Sequence, residues 1–413
     1  MKILQINPYY SRKSGSEAYV FDVSSLLEEH GHQVIPFAMK HEKNRPSVYS
    51  GYFVENIDYE RVIKRNIFER IRAGFKAIYS LEARNKLLRL IAKEKPDLAH
   101  LHKINNTLTP SVLYALKKKG VPVVQTLHDY RLVCPSYSMY DPNRFEVCEA
   151  CKEHKYFNAV RRRCQKSSIL VGLNIAIESY LYHLSRTYQR NIDLFISPSV
   201  FLMRKMIEFG INRNKIVHIP NFVMQSEYSP NYSNSDYILY FGRLERHKGV
   251  KTLIEAMGQV ENLKLYVAGE GSYRDFIEKY TKKNNIRNVT FFGFITRKKL
   301  IGLIRSSLFT VLPSEWYEPF GMSILESYAL GKPVIGANIG GIPELIDSGH
   351  TGLSFESGNV DDLAEKIIYL SNNRDLIAKM GRNARRKIAE RYNENIHYKM
   401  LMGTYNKLLQ DQE

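Results

Sequence analysis

No secretory leader, no membrane-spanning run, no internal repeat and no Asp-x-Asp pair at a plausible strand end can be found in this sequence. Each absence removes a class. Met1-Lys-Ile-Leu-Gln-Ile-Asn-Pro8 opens as a core strand, not as a basic leader with a long apolar centre, so a cytoplasmic protein is expected. The stretch nearest to a membrane segment, Ile169 to Ile177, falls far below spanning length and contains Asn174. The chain is therefore expected to be soluble, or peripheral on the inner face of a membrane. With no acidic pair placed to hold a divalent cation, the sequence requires none for chemistry. Nucleic acid is not an expected partner either, because no recognisable binding motif accompanies the net charge of +18. Cysteine is scarce, with four residues in 413, all in one segment.

What is present is ordinary globular composition, 44% apolar and 25% charged, over a length that exceeds what one hydrophobic core normally supports. Two domains are expected, 1–220 and 221–390, joined at Ile219-Pro-Asn-Phe-Val223. Charge divides unevenly between them. Residues 1–220 hold 35 Lys and Arg against 20 Asp and Glu, whereas 221–413 hold 25 against 22. Within the first half, residues 60–95 carry 11 basic and 4 acidic side chains interleaved with Ile67, Phe68, Ile71, Phe75, Leu87 and Leu88. This basic amphipathic pattern suits an anionic membrane surface; it equally suits a core-facing helix with a solvated basic face.

Both halves alternate strand and helix. In the first, strands at Ile3 to Ile6, Val34 to Ala38, Leu98 to Leu101 and Val121 to Leu127 are separated by helical patterns, which implies an α/β fold with parallel, doubly wound sheets. In the second, the strand Tyr237 to Phe241 runs into Gly242-Arg243-Leu-Glu-Arg-His-Lys248-Gly249 and then a helix from Val250. Strand, glycine turn and helix make a phosphate site at the carboxyl end of an open sheet, where Arg243 and Lys248 suit a diphosphate. A further turn, Gly269-Glu-Gly271, follows the strand Leu263 to Ala268. Glu318-Pro319-Phe320-Gly321-Met322 predicts a helix opening at Pro319 and closing at Gly331, with a strand from Pro333. The amino end of that helix is an anion site; Glu318 lies before it and Glu326 two turns inside, placed to accept hydrogen bonds from paired hydroxyls.

Gly242-Arg243 with Lys248-Gly249, the Glu318 and Glu326 pair eight apart, and Gly340-Gly341-Ile-Pro-Glu344, in this order, resemble the family 4 retaining glycosyltransferases. The resemblance covers nearly the whole chain. It implies a GT-B fold of two Rossmann-like domains facing across a cleft, with a last helix, near 391–413, crossing back to the first domain. It implies a nucleotide-diphosphate sugar as donor and a glycan or lipid-linked acceptor, as in bacterial surface polysaccharide biosynthesis. Arg243 and Lys248 would bind the diphosphate and stabilise the departing nucleotide. Glu318 would face the transferred sugar, Glu326 would hold the ribose, and Gly242, Gly269, Pro319, Phe320, Gly321 and Met322 would complete the donor pocket. His128 falls where the family places a histidine beside the sugar. Gly15 and Ser16 match the acceptor-side loop, although Ser-Gly-Ser-Glu stands where two adjacent glycines are common. The loop Gly340 to Glu344 and the Trp316-Tyr317 approach would read the sugar, and Gly293 to Thr296 the base. Retention implies front-face attack with the departing phosphate assisting as base, and no cofactor for catalysis. A non-catalytic binding module, a phosphorylase and an epimerase remain as alternatives.

Cys134, Cys148, Cys151 and Cys164 have the spacing C-x13-C-x2-C-x12-C within an insertion at about 130–168. Thiols gathered in this way fit a tetrahedral structural zinc site or four reduced cysteines better than a disulfide set, with an iron–sulfur cluster a more distant alternative. A four-cysteine insertion of this kind also occurs in a subset of similar glycosyltransferases.

Overall fold

The computed structural model describes residues 1–12, 15–56, 78–104, 108–165, 168–233 and 235–410. The first domain is built on β1 (Lys2–Ile6), β2 (Gln33–Phe37), β3 (Leu98–Leu101) and β4 (Val123–Thr126). An insertion with the short hairpin β5 (Tyr140–Asp141) and β6 (Glu146–Val147) follows, then β7 (Leu194–Ser197) and β8 (Ile216–His218). The order across this sheet is β2-β1-β3-β4-β7-β8, every pair parallel. The second sheet uses β9 (Tyr237–Phe241), β10 (Lys264–Ala268), β11 (Val289–Gly293), β12 (Thr310–Leu312), β13 (Val334–Ala337) and β14 (Gly352–Phe355). Its order, β11-β10-β9-β12-β13-β14, is the dinucleotide-fold order, all parallel. The result is two doubly wound α/β domains.

β1, β3, β4, β9, β12 and β13 are buried along all or almost all of their length, as expected of parallel strands covered by helices on both faces. Seven helices carry or flank the residues of interest: α1 (Gly15–Glu29), α2 (Leu81–Glu94), α3 (Ile169–Leu184), α4 (Val200–Glu208), α5 (Val250–Met257), α6 (Met322–Ala329) and α7 (Glu394–Gln410). α7 lies on the first domain. Its Leu401 and Tyr405 share a core with Ile3, Tyr19 and Val23. The Tyr405 hydroxyl is 2.6 Å from His100 Nδ1, and His397 Nδ1 is 2.9 Å from the Pro220 carbonyl.

Two sequence expectations change here. The helix predicted to open at Pro319 opens at Met322, because Gly321 at φ +117° cannot continue a right-handed helix inward. Pro319 instead presents its carbonyl to Ser199 Oγ of the first domain at 2.6 Å. Of the amphipathic segment 60–95, residues 60–77 lie outside the described residues. The described part is mainly α2, whose Ala83, Leu87, Leu90 and Ile91 are buried, so there the apolar face turns to the core.

Candidate active site

β9 and β12 are neighbours whose chain connections leave to opposite sides, so the crevice beyond their carboxyl ends is the switch point where open α/β sheets bind ligands. Glycine is what allows three loops to close on that crevice. A Cβ on Gly249 (φ +69°) would stand 1.7 Å from the Pro313 carbonyl oxygen, and one on Gly269 would stand 1.8 Å from that of Gly242. A Cβ on Gly340 would stand 2.4 Å from Glu318 N. The loop after β9 thereby places Lys248 Nζ 2.7 Å from Glu318 Oε2 in the loop after β12. The same oxygen accepts from Trp316 Nε1 at 2.9 Å and from Ser314 Oγ at 3.2 Å. Burial works to raise the Glu318 pKa, but Lys248 and the three bonds outweigh it and hold the carboxyl below its ordinary value. Arg243 and Gly242 are exposed at the mouth of the crevice.

Glu326 lies within α6 in a different setting. Burial pushes its pKa up to about 7; Arg297 opposes this, and the nearby carboxylates of Asp22 and Glu227 add to it. Arg297 Nη1 is 3.7 Å from Glu326, and its Nη2 reaches Glu227 at 2.6 Å and the Tyr228 hydroxyl at 2.8 Å. Asp22 belongs to α1 of the first domain and pairs with Arg12, so the second carboxylate feels charge from across the cleft. Arg12, Asp22, Glu227, Tyr228 and Arg297 were not singled out in the sequence. No local pattern ties them to Glu326, since the chain brings them there from four separate segments.

On the first-domain side, His128 follows β4 and His102 follows β3. His102 Nε2 donates to Gln5 Oε1 at 2.7 Å, leaving His102 Nδ1 to accept from His128 Nε2 at 3.1 Å. His128 Nδ1 is then the free acceptor of a neutral ring. Burial, with Lys103 and His100, holds the His128 pKa well below its ordinary value. Lys103 Nζ donates to Ser16 Oγ at 2.8 Å, which ties the start of α1, where Gly15 is exposed, to the end of β3. Gln5, His102 and Lys103 also escaped the sequence reading. The signal available was position, since each stands at or near the carboxyl end of β1 or β3, the switch point of the first sheet.

The Trp316-Tyr317 approach and the Gly340 to Glu344 loop, expected to read the sugar, make contacts that join the domains. Trp316 is buried in the first domain's core. The Tyr317 hydroxyl donates to Glu149 at 3.0 Å, and its ring meets Phe201 at 4.9 Å. Glu344 accepts from the backbone N–H groups of Val200 at 2.8 Å and Phe201 at 2.6 Å, capping α4 from the opposite domain. The insertion reaches across as well, with Phe145 under the Arg246 guanidinium and Tyr140 beside His247.

Cys134, Cys148, Cys151 and Cys164 line one small cavity with Met139, Asn158 and Arg162, and all four are free thiols. Burial raises the Cys148, Cys151 and Cys164 thiols, with Cys134 adding to the rise in each. Among the described residues, no group of three or more His, Cys, Asp or Glu is arranged to hold a metal ion. The donor set fits zinc chemically.

The model of Glycosyltransferase Family 4 matches residues 13–226, and that of Glycosyl transferases group 1 matches 225–387. A glycogen synthase of Mycobacterium tuberculosis is 32% identical over 66% of this chain and 67% of its own length. The N-acetyl-alpha-D-glucosaminyl L-malate synthase of Bacillus anthracis is 22% identical over 96% of this chain and 97% of its own. An uncharacterised glycosyltransferase of Methanocaldococcus jannaschii is 33% identical over 53% of this chain, and the match spans 60% of that relative's length. Among solved structures, the sucrose-phosphate synthase of Thermosynechococcus elongatus superposes with a TM-score of 0.72 at 20% identity, covering both chains fully. Anabaena HepE in complex with UDP-glucose gives 0.66 at 19% identity over 98% of this chain and 100% of its own.

Proposed function

This chain belongs to glycosyltransferase family 4, and from that premise we propose that it moves a sugar from a nucleotide-diphosphate sugar to a glycan or lipid-linked acceptor with retention of anomeric configuration. The observation that carries the proposal is the Lys248–Glu318 pair at the switch point, with exposed Arg243 at its mouth. A diphosphate entering the crevice would meet Arg243, Lys248 and the amino end of α6, which together offset the charge that grows on the departing group. Glu318, ionised and aimed by Trp316 and Ser314, would hold the transferred sugar, and Glu326 the ribose. His128 would accept a sugar hydroxyl at its free Nδ1. Retention follows from front-face attack, with the departing phosphate receiving the acceptor's proton. The complex of HepE with UDP-glucose supports a nucleotide sugar as donor. A role in bacterial surface polysaccharide biosynthesis is the setting that we infer.

A panel of nucleotide diphosphates and their sugars, read by thermal shift, identifies the donor, since a ligand of the native state raises the midpoint. With donor and acceptor in hand, Glu318→Gln is expected to lower turnover by about 10²–10³-fold, the range for losing one charge-stabilising group. An unchanged turnover, or an inverted product anomer by NMR, overturns the mechanism. Phosphate-dependent release of sugar phosphate, or epimerised donor formed without acceptor, would place the chemistry in another class. We also propose that the four cysteines hold a structural zinc that staples the insertion, drawing the sulfurs together on binding and taking no part in transfer.

A further inference from the structure

α3 carries an apolar face that nothing among the described residues covers. Ile169, Leu170, Leu173, Ile177, Leu181 and Leu184 are each between 45% and 76% exposed. At about 100° per residue they fall, with Asn174, inside an arc of about 140°. The opposite arc holds Gly172, Ile175, Ala176 and Glu178, all buried. Close packing fixes that inner side: a Cβ on Gly172 would stand 2.8 Å from the Ala159 carbonyl oxygen. The helix is therefore packed with its leucine face outward. Sixteen residues make a cylinder about 24 Å long, and no helix among the described residues is long and apolar enough to cross a membrane.

Charge in the sequence that flanks the stripe has one sign. From Phe157 to Ile192 the sequence contains six Lys and Arg and one acidic residue, Glu178. Glu178 is buried and paired with Arg131 at 2.7 Å, so it adds nothing to the outer surface. Arg161 and Arg163 are exposed before the helix, and Arg186 and Arg190 after it. Tyr114, bound to Thr187 at 3.0 Å, and Tyr79, 5.9 Å from it ring to ring, place two partly exposed aromatic rings near the carboxyl end.

We propose that α3 lies in the plane of an anionic lipid surface, its leucine face among the acyl chains and its flanking arginines on the headgroups. An apolar arc with basic ends is the pattern of an interfacial helix. A second copy fits less well. Both ends of the helix are basic, so a two-fold pairing across this face would set arginine against arginine whether the helices ran parallel or antiparallel. The attachment goes beyond the donor chemistry and holds whichever acceptor is used, because its test reads binding and not turnover.

The test is flotation of the full chain with vesicles of phosphatidylcholine alone or mixed with phosphatidylglycerol, at low and high salt. The wild type is expected to float with the anionic vesicles and to be partly released by salt. Leu173→Asp with Ile177→Asp is expected to weaken binding by about tenfold or more, with an unchanged thermal midpoint because both side chains are exposed. Arg161→Glu with Arg190→Glu should weaken binding to anionic vesicles only. Failure of the wild type to float, or flotation indifferent to both pairs of substitutions, overturns the proposal. So does a dimer in sedimentation that Ile177→Asp dissolves while vesicles bind nothing, because a second copy then covers the face.

Discussion

Glu318 and Glu326 stand at the two sides of one helix start, yet their surroundings drive them apart. Glu318 has an ammonium, an indole N–H and a hydroxyl on a single oxygen, so it stays ionised despite burial. Glu326 has a guanidinium at 3.7 Å and a hydrogen bond with the Tyr228 side chain, but burial and two further carboxylates outweigh them, so its pKa rises to about 7. Two carboxylates with separated pKa values hold separate tasks. A ribose-binding Glu326 must be ionised to accept two hydroxyls well. Donor affinity is therefore expected to be full above about pH 7 and to fall on the order of tenfold per unit below it. Calorimetric titration from about pH 5.5 to about 8.5 checks this, and Glu326→Gln should flatten the profile. A pH-independent wild type removes Glu326 from the ribose. Stability runs the other way: the folded state holds a proton that the unfolded chain releases, so this group's contribution declines as pH rises from about 4.5 through about 7.

At the scale of elements, the insertion of the first domain reaches the loop after β9. β5 and β6 hold Tyr140 and Phe145 against His247 and Arg246, one and two residues from Lys248. Four buried or half-buried thiols, three of them with raised pKa values, lie beneath them. A bound zinc would replace that neutral cluster with a rigid one, since thiolates need a cation and a cation needs thiolates. Protein purified without chelator is expected to carry stoichiometric zinc by elemental analysis, and chelation to lower the thermal midpoint. Metal-free protein with an unchanged midpoint leaves four reduced thiols. The cysteine cluster was legible as a unit from its spacing. That the insertion would lean on Arg246 and His247 was not, because cross-domain contacts leave no periodicity in either segment.

The whole molecule is latched through Glu344. Its carboxylate crosses from the second domain to the amino end of α4 and takes two N–H groups, while Ser199 donates to the Pro319 carbonyl beside it. Hydrogen bonds to a charged group are worth about 1.5–3 kcal/mol each, and these two also offset the dipole of α4. Glu344→Ala is expected to loosen the domains, seen as a larger radius of gyration in small-angle scattering and a turnover that falls more than donor affinity does. An unchanged scattering curve makes the contact incidental. Closure of such a cleft excludes water and aligns donor with acceptor, which gives the latch its relevance to transfer.

The sequence by itself determined what depends on neighbours along the chain. Alternating buried strands and helices specify parallel sheets, glycine at tight βα turns marks the loops that close on the crevice, and the spacing of Glu318 and Glu326 spans the loop and first turn of one helix. It misplaced the start of that helix by three residues, because proline at a first turn and proline just before a glycine cap read alike. Tertiary structure alone decided what depends on distant segments meeting. The Gln5–His102–His128 chain, the charges of Asp22 and Arg297 around Glu326, and the burial of Trp316 in the opposite domain all join residues far apart in sequence. It also decided which apolar faces are covered. In α2 Ala83, Leu87, Leu90 and Ile91 turn to the core, whereas α3 keeps its leucines outside. Amphipathic periodicity marks a face that prefers to leave water; only packing determines whether protein is there to receive it.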